Sequence, residues 1–298
     1  MTQNRKKGGK KTVRTKVIKV VTLIYRFCFS ENFVIRGIHM NYIEFENKLK
    51  RKFDEFGIDI DASQRKKFFD FMNLLIEKNK VMNLTSIVEP DEIIEKHFLD
   101  SCIILAKKNF GINNNALNIL TRNIALKVMD VGTGAGFPGL PLAIMCEKSK
   151  FVLSDTLGKR IKFLEEVIKE LKLNNVELEK GRAEDLGRDK NYREKFDLVV
   201  SRAVARMNIL AEYTLPFVKK GGRLICYKQV SIQEVDELEE AKNAIKILAG
   251  KNGTEMFYVE HKYKLAGIER RIIEVVKNDI TPNKYPRKAG TPEKNPIK

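Results

Sequence analysis

The stretch "DVGTGAGFPG", residues 130–139, places four glycines in ten positions at the end of the apolar run "LKVMDV" (126–131). Gly134, Gly136 and Gly139 satisfy the G-x-G-x-x-G spacing of a dinucleotide site, whereas Gly132, Gly134 and Gly136 form a tighter G-x-G-x-G run headed by Asp130. A phosphate loop is excluded, because no Gly-Lys-Ser/Thr follows. Separating the two remaining readings takes the rest of the chain.

Working outward, short apolar runs alternate with amphipathic helical segments from residue 126 onward. The runs are "LKVMDV", "FVLSD", "VELEK", "FDLVVS" and "GGRLICYK"; the helical segments include "LGKRIKFLEEVIKELKL" and "RMNILAEYTLPFVKK". Such alternation predicts parallel strands joined by right-handed crossovers, an open sheet covered on both faces. A charged helix, "SIQEVDELEEAKNAIKIL", and two strand-like runs, "EMFYVEHKYKL" and "ERRIIEVVK", come next. Two strands without a crossover helix predict an antiparallel pair at one edge. Upstream, Tyr42, Phe45, Leu49, Phe53 and Phe56 recur at helical steps and stop at Gly57. Asp61 and Ser63 are caps for a second helix; a third follows Pro90 through "DEIIEKHFLDSCIILAKK", with acids in its first turn and lysines in its last. The expected organisation is a basic, dispensable extension (1–39), a helical region (40–118) ending in the polar connector "GINNNALN" (111–118), an α/β domain (119–280) and a basic, Pro-rich tail (281–298).

The chain has 298 residues, 43% apolar content and a net charge of +17. Its first 39 residues hold ten Lys/Arg against one acid, so the remaining body is basic by itself. Lys/Arg contacts release counterions from phosphates, which makes nucleic acid the natural partner. The run Val20 to Tyr25, between Lys19 and Arg26, is too short to span a bilayer and has no signal-peptide cleavage pattern. Cys28, Cys102, Cys146 and Cys226 are scattered, with only His39, His97 and His261 beside them. That pattern supports neither a disulfide framework nor a metal site, and fits a reducing cytoplasm.

In an open parallel sheet ligands bind at the carboxyl ends of the strands, where strand order reverses. Three details favour S-adenosylmethionine over a dinucleotide there. Asp130 places a carboxylate where an ammonium is welcome and a pyrophosphate is not. Pro138 and Pro141 strip N–H donors from the next helix. "GRAEDL" (181–186) follows the third strand, where a backbone N–H and a carboxylate can read adenine. Asp155, at the end of the second strand, suits a ribose. With the final strand pair, the layout is that of a class I S-adenosylmethionine-dependent methyltransferase, an α/β Rossmann-like fold preceded by helices.

The position after the fourth strand reads "SRAVARM", without the Pro-Pro-aromatic clamp used on adenine amines, and no Pro-Cys pair offers a nucleophile for cytosine C5. Guanine N7 requires neither, because its lone pair is free at neutral pH. Two other readings stay open from the residues: a nicotinamide-dependent oxidoreductase, and a non-catalytic rRNA-binding assembly factor.

"KVMDVGTGAGFPGLPLAI", "LGKRIKFLEEVIKELKLNNVELEKGRAEDL", "FDLVVSRAVA" and "KYPRKAGTPEKNPI", with "NKVMNLTSI" and "HFLDS" upstream, resemble the bacterial 16S rRNA guanine-N7 methyltransferases, the glucose-inhibited division protein B family. The resemblance runs from about Met40 to the C-terminus. It implies a cytoplasmic enzyme acting on 16S rRNA or the small ribosomal subunit, with S-adenosyl-L-methionine as cofactor. It also implies that Gly132 and Phe137 contact the cofactor, that Ala183 and Glu184 flank its adenosine, and that Arg202 stands between cofactor and target base. Lys228, Arg287 and Lys288 are the expected RNA contacts. Where the family reads Lys-Gly after the fifth strand, this chain has Lys228-Gln229.

Overall fold

The computed structural model describes residues 40–107, 125–229, 237–250 and 258–298. The basic extension 1–39 and the connector 111–118 lie outside the described residues.

Apolar spacing and caps account for the upstream helices. Helix α1 (Tyr42–Glu55) buries Phe45, Leu49 and Phe53, and the Asn41 side chain accepts the Glu44 N–H at its start. Helix α2 (Ala62–Met82) opens with a reciprocal cap, Asp61 with Gln64, and stops at Asn83, which is left-handed with φ 49°. The third helical run, α3 (90–105), departs from a plain α-helix: Pro90–Glu92 leads into a π-helical stretch, Ile93–Leu99, then Asp100–Cys102 and a 3-10 turn, Ile103–Leu105. The wider π turn sets His97, Phe98 and Asp100 in the interior together. Lys107, expected in the last turn, falls past it, since the chain leaves helical conformation at Ala106 and Lys107 pairs with Asp59; Lys108 lies outside the described residues.

Seven strands form one sheet: β1 (Lys127–Val131), β2 (Lys150–Asp155), β3 (Val176–Lys180), β4 (Phe196–Arg202), β5 (Val218–Gln229), β6 (Tyr258–Leu265) and β7 (Ile268–Val276). Their order is β3-β2-β1-β4-β5-β7-β6. Strand β7 is antiparallel to both its neighbours and sits between β5 and β6, which leaves β6 at the edge. The strand pair expected at one edge is present, with the later strand inside the earlier one. Crossovers carry α4 (Gly139–Met145), α5 (Gly158–Leu171), α6 (Ala183–Leu186) and α7 (Met207–Thr214); α8 (Glu237–Ala249) precedes β6. The segment expected as one helix, "RMNILAEYTLPFVKK", divides. Pro216 lies in a 3-10 turn after α7, and Val218 already begins β5.

Two cores sandwich the sheet. On one face α1, α2 and α3 contribute Phe45, Phe68, Phe71 and Phe98 to a cluster continuous with Leu153, Ile225, Tyr227 and Ile272 of the strands. The helical region therefore shares its core with the α/β part. On the other face α7 and α8 pack Leu210, Ala241 and Ile245 against Met129, Phe196 and Ile273.

The tail, read as a solvated or RNA-ordered arm, is instead folded onto the second core. Tyr285 and Ile297 are buried there, and a last short helix, α9 (Thr291–Lys294), precedes the C-terminus. Arg193 donates to the carbonyls of Thr281 and Tyr285, both at 2.7 Å, and Arg188 to that of Pro286 at 2.9 Å. Buried Lys277 bonds Glu194 and the carbonyls of Leu215 and Val218; burial pulls its pKa down to about 8.

Candidate active site

Strand order reverses between β1, whose crossover leads to β2, and β4, whose crossover leads to β5. The glycine loop after β1 and the segment after β4 face each other across this crevice. The Gly132 and Thr133 N–H groups donate to the Ser154 carbonyl at 3.0 and 2.9 Å, which turns the chain back over β2. Gly132 has φ +72°, and a Cβ there would stand 2.5 Å from Val204 Cγ2 after β4, so only glycine lets the two loops approach. Gly134, at φ +62°, meets nothing within 4 Å in that direction and borders open space.

Asp130 is fully buried below the loop. Its Oδ2 accepts from the Thr133 hydroxyl at 2.7 Å and the Gly139 N–H at 2.8 Å. Its Oδ1 has no hydrogen-bond partner. Burial raises its pKa to about 6, against the lowering effect of the two donated bonds. The carboxylate thus braces both ends of the loop and retains one unused oxygen. Asp155 is also committed to the loop: Oδ2 accepts from the Gly134 N–H at 3.0 Å and Arg160 at 3.1 Å, and Oδ1 from the Leu157 N–H at 2.9 Å.

Phe137 is buried in aromatic packing. It stacks with His97 (centroids 4.4 Å, planes 17° apart) and with Phe71 (5.2 Å, 22°), and the Arg202 guanidinium lies 5.2 Å from its ring centre. Arg202 ends β4 and reaches across to α3, where Nη1 donates to Asp100 Oδ2 at 2.9 Å; Nη2 lies 3.5 Å from His97 Nδ1. His97 Nε2 meets Thr85 Oγ1 at 2.9 Å. Burial first, then the Arg202 charge, pull the His97 pKa down to about 3, so the imidazole is neutral at physiological pH.

Asp100 is wholly buried and serves three groups. Beside Arg202, its Oδ1 accepts from the Tyr263 hydroxyl at 2.9 Å and lies 3.3 Å from Arg270 Nε. Sequence reasoning found Arg202 and the motif "HFLDS" but missed their contact. The available signal was the three-residue spacing of His97 and Asp100, which puts two polar groups on one buried helical face.

The remaining expected residues lie elsewhere. Ala183 and Glu184 open α6 after β3; Glu184 is buried and accepts the Gly290 N–H from the tail at 2.8 Å. Lys228 does not present its charge to solvent. It donates to Glu237 Oε1 and the Ala205 carbonyl, both at 2.6 Å, within a cluster that also joins Arg271 and Glu260. Arg287 is likewise taken up, forking onto buried Glu212 with three contacts between 2.7 and 3.1 Å. Lys288 is exposed. Among the described residues no cluster of His, Cys, Asp or Glu could hold a metal ion, and no helix is long and apolar enough to cross a membrane.

Comparison with known proteins extends these observations. A family profile described as "GidB: rRNA small subunit methyltransferase G" matches residues 64–263. The ribosomal RNA small subunit methyltransferase G of Lactococcus lactis subsp. lactis is 45% identical over 82% of this chain and 95% of its own length. That of Alkaliphilus oremlandii is 43% identical over 86% of this chain and 100% of its own length. A solved S-adenosylmethionine-dependent O-methyltransferase from Thermotoga maritima, 15% identical, covers 70% of this chain and 72% of its own with a TM-score of 0.44, too loose a likeness to bear on function. With a profile and near full-length relatives in agreement over a seven-stranded methyltransferase sheet, the chain belongs to the rRNA small subunit methyltransferase G family.

Proposed function

We propose that this protein transfers a methyl group from S-adenosylmethionine to the N7 of one guanine in 16S rRNA, and that it works in the cytoplasm on naked rRNA or the small subunit. The observation that carries the reading is the crevice between the glycine loop and Arg202. The loop fits a nucleoside with a charged amino-acid tail: Gly134 borders open space, and the unpartnered Oδ1 of Asp130 is the buried acceptor an ammonium calls for. A pyrophosphate would meet that carboxylate and a helix, α4, with prolines at 138 and 141.

When bound, the cofactor supplies a methyl group on a sulfonium, which departs as a neutral thioether. The residues of this chain have to hold it and align an attacking lone pair, so orientation carries most of the rate. Gly132 and Asp155 shape the cofactor side, with Ala183 and Glu184 at the adenosine end and Phe137 as the packed floor. Arg202 orients the target base, its guanidinium N–H groups suiting guanine O6 or a neighbouring phosphate. No proton has to be removed from N7 before attack. His97 agrees with that, since its two ring nitrogens face Thr85 and Arg202 and it is held neutral.

The deciding experiment is incubation with small-subunit rRNA and labelled cofactor, followed by strand scission specific for N7-methylguanine. Label incorporated with scission at one guanine supports the reading. Label without scission moves the acceptor to another atom, and tight binding of a reduced dinucleotide would return the chain to the oxidoreductases.

A further inference from the structure

The reach of Arg202 is set by another residue. The guanidinium comes from the end of β4, yet its firmest contact is to α3, where the fully buried Asp100 takes Nη1 at 2.9 Å. Asp100 is itself fixed by β6 and β7, through the Tyr263 hydroxyl at 2.9 Å and Arg270 at 3.3 Å. Three strands, β4, β6 and β7, thus converge on one carboxylate of α3. The other groups in direct contact with Arg202 are uncharged: neutral His97, the Phe137 ring and the Lys96 carbonyl at 3.4 Å.

The charge balance at this point matters to the chemistry. The bound cofactor carries a sulfonium, and guanine alkylated at N7 becomes cationic. A bare guanidinium beside them would repel both, more strongly in a partly buried crevice than in water. The Asp100 carboxylate, shared with Arg270, offsets part of that charge and leaves the directional N–H donors in place. It also fixes the guanidinium plane, because two hydrogen-bonded neighbours on α3 leave the fork little freedom to rotate.

We propose that Asp100 is a positioning residue for methyl transfer: through its hydrogen bonds to Arg202 and Tyr263 and its ion pair with Arg270 it orients the Arg202 guanidinium and offsets part of its charge. This rests on the reading of Arg202 as the group that meets the target base. Asp100 itself touches neither cofactor nor RNA.

The test is a double-mutant cycle on the full chain, reading single-turnover methyl transfer to small-subunit rRNA and binding of S-adenosylhomocysteine. Asp100→Asn keeps the shape and removes the charge. It is expected to slow transfer by about tenfold or more while cofactor affinity changes by less than about threefold. In an Arg202→Ala background the same substitution is expected to add less than about twofold, because the two act as one unit. Tyr263→Phe removes one bond to Asp100 without altering charge and gives a milder version of the same pattern, which covers the case in which Asp100→Asn does not fold. Losses that multiply independently of Arg202, or an undiminished rate in the folded single variants, would overturn the assignment of Asp100. Full transfer by Arg202→Ala alone would instead remove the reading of Arg202 on which it stands, a separate outcome in the same cycle.

Discussion

At the scale of single residues, Asp130 carries a consequence for pH. Its pKa stands near 6 in the folded chain against 3.8 for an ordinary aspartate, raised by burial. A folded pKa above the unfolded one means that its contribution to stability is fully present below pH 3.8 and is lost as pH rises through about 6. The cofactor-free protein accordingly bears a buried-charge cost on the order of 3 kcal/mol at neutral pH. A ligand ammonium beside Oδ1 recovers part of it. Calorimetry between pH 5 and 8 should show S-adenosylhomocysteine affinity falling below about pH 6, with proton release on binding; Asp130→Asn should bind more weakly with a flatter profile. Above pH 7 the single-turnover rate should be nearly level, since attack by N7 needs no base, and a tenfold rise per pH unit there would reveal one.

Gly132 belongs to the same scale. Alanine at this position combines a left-handed φ of +72° with a Cβ 2.5 Å from Val204 Cγ2, so the exposed Val204 side chain or the loop that carries it must shift. The expected result is a loss of about 1–3 kcal/mol in stability together with weaker cofactor binding, measured by thermal melting and calorimetry.

Among the elements, the C-terminal segment gives the clearest contrast. Arg287→Ala leaves Glu212 buried without its cation, an expected destabilisation of about 2 kcal/mol or more in denaturant melts. Lys288→Ala, one residue on and exposed, should leave the melt unchanged and weaken rRNA binding. If Arg287→Ala proves as stable as the parent, the fork onto Glu212 is ornamental. The pair also shows what a sequence can and cannot tell. Two adjacent basic residues in a Pro-rich stretch read alike, because composition records charge but not its partner. The pairing of Lys228 was hidden for the same reason, its partner Glu237 being nine positions later on another element. The docked tail left no trace in the pattern, since most of its hydrogen-bonding anchors are backbone groups, such as the Tyr285 carbonyl and the Gly290 N–H. The π-helical stretch of α3 escaped too, because one residue added to a turn does not disturb a short apolar rhythm. By contrast the five parallel strands were legible to within a few residues: β1, β2, β4 and β5 carry apolar runs, as strands covered on both faces must, and β3, half-buried, alternates apolar and charged residues. The glycine loop was legible as a sharp turn at the end of β1, while the bracing roles of Asp130 and Asp155 depend on contacts that only folding creates.

For the molecule as a whole, the net charge of +17 predicts rRNA affinity that falls steeply with salt. A chain beginning at Met40 retains the helices, the crevice and the tail. It should transfer methyl groups at the parental rate and show a shallower salt dependence in filter binding, having lost ten cationic side chains of the first 39 residues. A folded Met40 variant without transfer would assign those residues a part in substrate capture.

The order of the last strands bears on how the protein is made. Strand β6 pairs with β7 alone, and β7 is synthesised after it. Beyond β7, Tyr285 and Ile297 still have to enter the core under α7 and α8. A nascent chain therefore carries an unsealed edge and an open apolar seam until Ile297 has left the ribosome. Stop codons or frameshifts ahead of Tyr285 or Ile297 should be as damaging as early ones, measured as soluble yield against the parent.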